Sequence, residues 1–256
     1  MKKYRIVFRN AAQGQLQNHA VLIMRLIFLT VLVFTTEKLW QAIGHKGFDP
    51  VDIVWYLTFN ELLLFSYDEK MRNKIFNDIR SGNIGYSLIR PFSYFKQCVV
   101  EGMGLSAVRL PILALFGPVL AYSMTGGFPS TFHGAACVFV LMSVASLLIN
   151  LCIISIGLVG LYMQANFSLY IMWQKFLFVF GGLFFPLTIY PEWLQDIAAA
   201  TPFPYMLYET SRLVYEFSWP VAWNTAVHLV LWTAAVFLLS VWLFGLLLKK
   251  VSVNGG

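Results

Sequence analysis

Long apolar runs separated by short polar stretches dominate the chain. The hydrocarbon core of a bilayer is about 30 Å thick, so a spanning helix needs roughly 20 apolar residues. Six runs approach this length, and they predict spans at 20–43, 51–67, 98–124, 132–162, 168–190 and 222–248. We therefore expect an all-α, polytopic membrane protein with six transmembrane helices, forming a single domain over residues 1–256.

Composition agrees with this pattern. Hydrophobic residues make up 59% of the chain and charged residues only 12%, whereas charge alone is about 25% of a soluble domain. The net charge of +6 would suggest nucleic acid in a soluble protein, but in a membrane protein basic residues also set topology. We therefore expect the chain to contact membrane lipid and not nucleic acid.

The positions of the basic residues predict the orientation. They cluster before the first span, between the second and third, and after the sixth (Lys2, Lys3, Arg5, Arg9; Lys70, Arg72, Lys74, Arg80, Arg90, Lys96; Lys249, Lys250). Because cytoplasmic loops are enriched in Lys and Arg, both termini are expected in the cytoplasm. Five tryptophans then fall near the outer interface: Trp40, Trp55, Trp193, Trp219 and Trp223.

Residues 1–18 have an amphipathic pattern. Tyr4, Val7, Phe8 and Ala11 recur at helical spacing, while basic residues occupy the other positions. This pattern predicts a basic helix lying on the inner leaflet. The alternative is a disordered basic tail that only fixes the orientation.

The loop at 68–96 predicts a second amphipathic helix. Met71, Ile75 and Ile79 recur at i, i+4 and i+8, with polar residues between them. Gly82 is placed to end this helix in a left-handed conformation, and Pro91 disfavours helix at Arg90. Positive-inside topology explains the charge of the loop, but it does not require this order of helix, Gly and Arg-Pro.

Two stretches resemble those of a known family. Residues 78–84 (DIRSGNI) followed by 88–91 (LIRP) are similar to the cytoplasmic loop of permeases of the type-2 ATP-binding-cassette (ABC) exporter class. Residues 185–194 (FPLTIYPEWL), continuing to 203, are similar to the outer segment between the fifth and sixth spans of that family. Together with six spans, the resemblance covers nearly the whole chain.

The resemblance implies a permease subunit of a prokaryotic plasma membrane. Its partners would be two cytoplasmic ABC ATPase subunits and a second permease, like or unlike itself. The chain has no P-loop, so it is not expected to be an enzyme or to bind a cofactor, and ATP and Mg²⁺ are expected on the ATPase. The 71–80 helix would be the coupling helix, whose apolar stripe enters a groove of the ATPase. The candidate coupling residues are Met71, Ile75, Asp78, Ile79, Arg80, Gly82, Ile84 and Arg90.

Two of the charged residues inside predicted spans lie far from the span ends. Glu61 in the second and Arg109 in the third are expected toward the middle of the bilayer, where an unpaired charge costs at least about 2.5 kcal/mol. We expect the two to pair. The pair would be structural, or Glu61 would face the pathway and attract a cationic or hydrogen-bonding substrate.

The outer segment at 191–221 predicts a short helix. Pro191 stands at its start, Glu192 faces out, and Trp193 belongs to an apolar side. This helix would cap the outer exit or anchor the chain at the membrane interface.

Two other classes of function remain to be weighed. An ion-gradient-driven secondary transporter would use Glu61 as proton carrier, but the internal repeats usual for such folds are not found in the sequence. An intramembrane enzyme is disfavoured because the histidines, cysteines and acids do not cluster, and no metal site is predicted.

Overall fold

The computed structural model describes residues 2–88, 93–129, 131, 134–160, 162–163 and 165–254. Within these ranges all regular structure is helical. The helices are α1 (Lys2–Gln17), α2 (His19–Ala42), α3 (Pro50–Ser66), α4 (Lys70–Arg80), α5 (Asn83–Leu88), α6 (Tyr94–Thr125), α7 (Ala135–Val159), α8 (Phe167–Phe180), α9 (Glu192–Ala199), α10 (Phe203–Met206), α11 (Tyr208–Arg212) and α12 (Trp219–Asn254). Short 3₁₀ turns lie at Gly44–Gly47 and Leu187–Ile189.

Among the described residues, four helices are long and apolar enough to cross a membrane. They are α2, α6, α7 and the part of α12 from Trp219 to Lys249, and they match the first, third, fourth and sixth predicted spans. The second and fifth predicted spans correspond to the shorter helices α3 and α8, of 17 and 14 residues. A six-span arrangement therefore stays a prediction, whereas the all-α fold is confirmed over the described residues.

The bundle has two ends, which we name by the chain segments they carry. The terminal end holds α1, α4, α5 and the end of α12, together with the starts of α6 and α8. The far end holds the connection between α2 and α3, residues 126–129, and α9 to α11. The basic helices α1 and α4 therefore lie at the terminal end, and the predicted outer segment lies at the far end.

Helix α3 lies at the centre of the bundle. All of its residues from Ile53 to Leu63 are buried, as expected of a helix with neighbours on every side. Gly117 of α6 allows the closest approach: a Cβ there would lie 2.9 Å from Leu62 and 3.2 Å from Thr58. Helices α2 and α12 are peripheral and expose long apolar faces.

The fifth predicted span ends earlier than the hydrophobic pattern indicates. Helix α8 stops at Phe180, ten residues before the predicted boundary at 190, because Gly182 adopts a left-handed conformation with φ of 67°. The next carbonyls have side-chain donors: Tyr56 and Asn60 bond Gly182 O, and Trp40 bonds Phe184 O at 3.1 Å. Non-helical backbone is tolerated at membrane depth where protein satisfies it in this way.

Two of the five predicted interface tryptophans do not face the surroundings. Trp40 and Trp55 are fully buried, and their indole N–H groups donate to Phe184 O and Gly127 O. Trp193, Trp219 and Trp223 are 63%, 72% and 72% exposed, as an interfacial position requires. The two buried indoles thus donate hydrogen bonds to backbone carbonyls at the far end, whereas the three exposed indoles can contact a membrane.

Candidate functional site

Helix α4 is the predicted coupling helix, and its apolar stripe faces the protein's own bundle. Met71 and Ile75 are buried, and Ile79 is half-buried against the core. Gly157 of α7 makes the contact possible, since a Cβ there would lie 3.0 Å from the Ile75 Cβ. Met71 and Ile75 are thus buried within the chain itself and are not exposed for a groove of a partner, and the coupling role of this helix stays a prediction.

Charged and polar side chains fix α4 to two more helices. Lys74 forms an ion pair with Glu101 of α6 at 2.5 Å, and Asp78 accepts a hydrogen bond from the Tyr94 hydroxyl of α6 at 2.7 Å. On the other side, buried Arg72 donates to Asn166, the N-cap residue of α8. Its guanidinium also stacks over Tyr170 of α8 at 4.9 Å. Helix α4 is thus attached to α6, α7 and α8.

The turn after α4 has the predicted conformation. Gly82 follows the C-cap residue Ser81 with φ of 73°, which confirms it as the left-handed residue that ends the helix. Ile84 is buried in α5, whereas Tyr86 is 75% exposed. The remaining candidate of this segment, Arg90, lies outside the described residues.

The side of α4 that faces away from the bundle is polar. Asn73, Asn77 and Arg80 are exposed, and they recur at i, i+4 and i+7 on one helical face. Ser81, Gly82 and Asn83 continue this exposed surface toward Tyr86. We call Asn73, Asn77, Arg80, Asn83 and Tyr86 the outward face of the α4–α5 segment.

Arg109 is the centre of a buried cluster at the terminal end. Its guanidinium pairs with Asp68 at 2.6 Å and also donates to Gln15 at 2.7 and 2.9 Å and to Tyr67 O at 2.9 Å. The predicted ion pair between Arg109 and Glu61 is therefore wrong, because Asp68 occupies that role. Arg109 is near the midpoint of the 32-residue α6, and its contact with Tyr67 O places it level with the end of α3.

Asp68 joins this cluster to α4. One carboxylate oxygen binds Arg109, and the other accepts the Lys70 N–H at 3.0 Å in the first turn of α4. Burial by itself raises the pKa of this carboxyl, but the hydrogen bond and positive charge of Arg109 outweigh it and hold the pKa below its ordinary value. The ionised form therefore links α6 to the start of α4.

The same cluster caps the last turn of α3. Arg25 donates to Phe65 O at 2.8 Å, Ser106 to Ser66 O at 3.2 Å, and Arg109 to Tyr67 O. These carbonyls have no intrahelical partner at a helix end and carry its partial negative charge. Side chains of α2 and α6 thus position the chain where it leaves α3 for α4.

Glu61 lies apart from this cluster. It is 3% exposed on α3, and its Oε2 atom has no hydrogen-bond partner among the described residues. The ion pairs of the described residues do not include it. A buried carboxyl without a partner is costly in its charged form and is a typical sign of a functional residue inside a membrane.

The predicted outer helix is confirmed as α9. Pro191 is its N-cap residue, Glu192 opens it, and Trp193 is exposed together with Ile197. Beyond it, a polar cavity of ≈ 240 Å³ includes Glu209 and Arg212, which pair at 3.1 Å. Burial raises the pKa of Glu209, and the charge of Arg212 offsets this only in part.

Two features of the site escaped sequence reasoning. The Arg109–Asp68 pair joins residues 41 apart in the chain, and only the packing of α6 against the end of α3 brings them together. The break after α8 had a signal, namely Gly181-Gly182 followed by Phe185-Pro186. A Gly pair and a Pro within an apolar run indicate interruption as well as close packing.

Comparison of the chain with models of known protein families and with curated proteins gave no match.

Proposed function

We propose that the chain is the membrane-spanning permease subunit of an ATP-driven exporter in a prokaryotic plasma membrane. Separate ATPase subunits, carrying ATP and Mg²⁺, would supply the energy, and a second permease would complete the pathway. The terminal end would face the cytoplasm, because its loops and helices carry most of the basic residues.

The attachment of α4 is the observation that carries this proposal. Its polar contacts reach Glu101 and Tyr94 on α6 and Asn166 at the start of α8, and its apolar stripe packs on α7. A force on α4 would therefore act directly on α6, α7 and α8. Rigid-body movement of packed helices is a common means of switching between states.

The outward face of the α4–α5 segment is the proposed docking surface for the ATPase. It replaces the apolar stripe of the sequence-based prediction, since Met71 and Ile75 are buried within the chain. Asn73, Asn77 and Tyr86 are exposed there and present amide and phenol groups that donate and accept hydrogen bonds. Ile79, being half-buried against the core, is a packing residue more than a docking residue.

A second permease would cover one of the exposed apolar faces. Helix α2 exposes Ile23, Ile27, Val31 and Phe34 by 52–55% each, along one side of the helix. Exposed apolar surface of this kind is compatible with lipid as well as with another helix.

Co-purification tests the proposal. We expect a mild-detergent pull-down from the native membrane to retain a soluble, P-loop-containing ATPase, and a photo-crosslinker at Asn77 or Tyr86 to capture it. The same crosslinker at Ile197, which is exposed at the far end, is the matched control and should capture no ATPase. Recovery of the chain alone, with no ATPase crosslinked through α4 or α5, would contradict the proposal.

The unpartnered Glu61 favours one other function, that of an ion-gradient-driven secondary transporter with Glu61 as proton carrier. Transport into reconstituted vesicles separates the two. An exporter requires ATP and the ATPase, and Glu61→Gln would then leave the ATP requirement in place. A secondary transporter would respond to a pH gradient without ATP, and Glu61→Gln would abolish that response.

A further inference from the structure

A lateral groove of ≈ 520 Å³ lies between α6 and α7, beside the point where α1 crosses α6. Its volume falls within the range of about 300–1,000 Å³ found for small-molecule sites. Phe8 of α1 borders it, and the Phe8 carbonyl lies 2.7 Å from where a Cβ of Gly104 would be. The groove therefore begins at the terminal end of the bundle, next to α1.

The end of the groove nearest α1 is polar. Asn150 of α7 donates from Nδ2 to Ser106 Oγ of α6 at 2.9 Å and to Ser146 O at 2.8 Å. Ser106, Ser146 and Asn150 all line the groove and are at least nine-tenths buried. This end can exchange hydrogen bonds with the polar part of a bound molecule.

The opposite end of the groove is apolar. Leu110 and Pro111 of α6 lie four and five residues beyond Ser106, which is about 6–7.5 Å along the helix. Phe139 and Val140 of α7 lie about 15–17 Å from Asn150 by the same rise. Polarity thus decreases from the terminal end toward the middle of the bundle, as it does along an amphiphile.

A basic stripe lies beside the polar end. Lys2, Arg5 and Arg9 share one exposed side of α1 and border a common crevice. At 100° per residue, Arg5 is about 60° around the helix from Phe8, the residue that borders the groove. The first acidic residue of the chain is Glu37, so α1 contains no negative charge to neutralise the stripe.

We propose that this groove and the basic stripe of α1 form a binding site for one anionic phospholipid. The acyl chain would lie along Leu110, Pro111 and Val140, the glycerol ester region would meet Ser106 and Asn150, and the phosphate would meet Arg5 and Arg9. Charge complementarity favours an anionic headgroup, because basic residues at a membrane surface attract acidic lipid. Such a site requires only that the chain is inserted in a membrane, so its test does not depend on the proposed transport function.

The charge requirement is tested by titrating delipidated full-length protein in detergent with phosphatidylglycerol or phosphatidylcholine of the same acyl composition. Native mass spectrometry counts the bound lipid. The parent should prefer phosphatidylglycerol, and Arg5→Gln/Arg9→Gln should weaken its binding about 30-fold, at about 1 kcal/mol per basic residue. The matched control Lys70→Gln/Lys96→Gln removes two exposed charges at the same end and should bind like the parent.

The groove is tested by filling it. Ala107 and Ser143 are exposed lining residues, so Ala107→Phe, or Ser143→Phe if the first folds poorly, should reduce tightly bound phosphatidylglycerol at least tenfold. Ala235→Phe changes an equally exposed alanine on α12 and should have no effect. Equal affinity of the parent for both lipids would overturn the proposal, as would full binding by both groove variants.

A second copy of the chain is the other occupant to test. If it filled the groove, added phosphatidylglycerol would not bind to the dimer, and a crosslinker at Ala107 would join two chains. That result would overturn the lipid assignment. Lipid bound one per chain, with no crosslink between chains through Ala107, supports it.

Discussion

Helices α4 and α9 are both short and amphipathic, lie at opposite ends of the bundle, and differ in what covers their apolar sides. In α4, Met71 and Ile75 are 4% and 0% exposed, whereas in α9 Trp193 and Ile197 are 63% and 48% exposed. The periodicity of a helix shows that it has an apolar side. It does not show whether the chain itself, a partner or a membrane covers that side.

The surroundings of the two helices explain the difference. Opposite α4, Gly157 leaves room for Ile75, and Glu101 and Tyr94 supply partners for Lys74 and Asp78. The acidic residues of α9, Glu192 and Asp196, are exposed. A helix with both a shaped surface and paired charges opposite it is held against the bundle, and α9 has neither on its apolar side.

The largest expected effect compares Ile75→Asp with Ile197→Asp. The first places a carboxylate at a site with 0% exposure and should lower stability by about 4 kcal/mol or more, because burial of an unpaired charge is among the most destabilising changes. The second changes an exposed side chain and should cost about 0.5 kcal/mol or less. Monodisperse yield and unfolding temperature in detergent measure both, and equal losses would remove the distinction between the two helices.

The next comparison concerns the arginines at the two ends. Arg109→Met leaves Asp68 buried without its partner and should cost about 3–5 kcal/mol. Arg212→Met breaks a pair with Glu209 whose side chains are 22% and 18% exposed and should cost about 1 kcal/mol. Thermal unfolding of the two variants ranks them, and a greater loss for Arg212→Met would contradict the assignment of Arg109 as the centre of the buried cluster at the terminal end.

Acid should weaken the terminal end through Asp68. Its pKa is lowered in the folded protein, so the stabilisation is complete above the ordinary carboxyl pKa of about 4 and is lost as the pH falls through the lower folded value. Asp68→Asn should be less stable than the parent at pH 7, and the difference should shrink below about pH 4. A difference that stays constant down to pH 2 would show that ionisation of Asp68 contributes nothing.

Sequence reasoning located the elements better than their contacts. The pattern predicted α4, its end at Gly82, and α9 beginning after Pro191, because periodicity and capping are local properties. It failed for Arg109, whose partners Gln15 and Asp68 come from distant parts of the chain. An apolar run also cannot distinguish a lipid-facing side chain from buried Trp40.

A smaller effect is expected at the end of α4. Gly82 has a positive φ with open space around it, so Gly82→Ala should cost about 1–2 kcal/mol through backbone strain alone. Gly85→Ala is the matched control, because Gly85 also has open space but no positive φ. The C-cap residue of α9, Ala200, has an ordinary right-handed conformation, so Ala200→Gly should change stability little. Unfolding temperatures of the three variants would show whether a fixed turn is special to α4.

The smallest effect on stability is expected for Trp193→Ser in α9, about 0.5 kcal/mol or less, because the side chain is exposed. The informative readout is instead the fluorescence of Trp193, which is obtained in vesicles as the difference between the parent and the variant. If α9 anchors the chain at the membrane interface, brominated lipid should quench that fluorescence, since exposed indoles favour the headgroup level. Quenching by aqueous iodide and not by brominated lipid would place α9 over a water-filled opening, as a cap of the outer exit requires. Trp223→Ser is the matched control because Trp223 is 72% exposed on α12, and the fluorescence that this variant loses should be one that brominated lipid quenches under either arrangement.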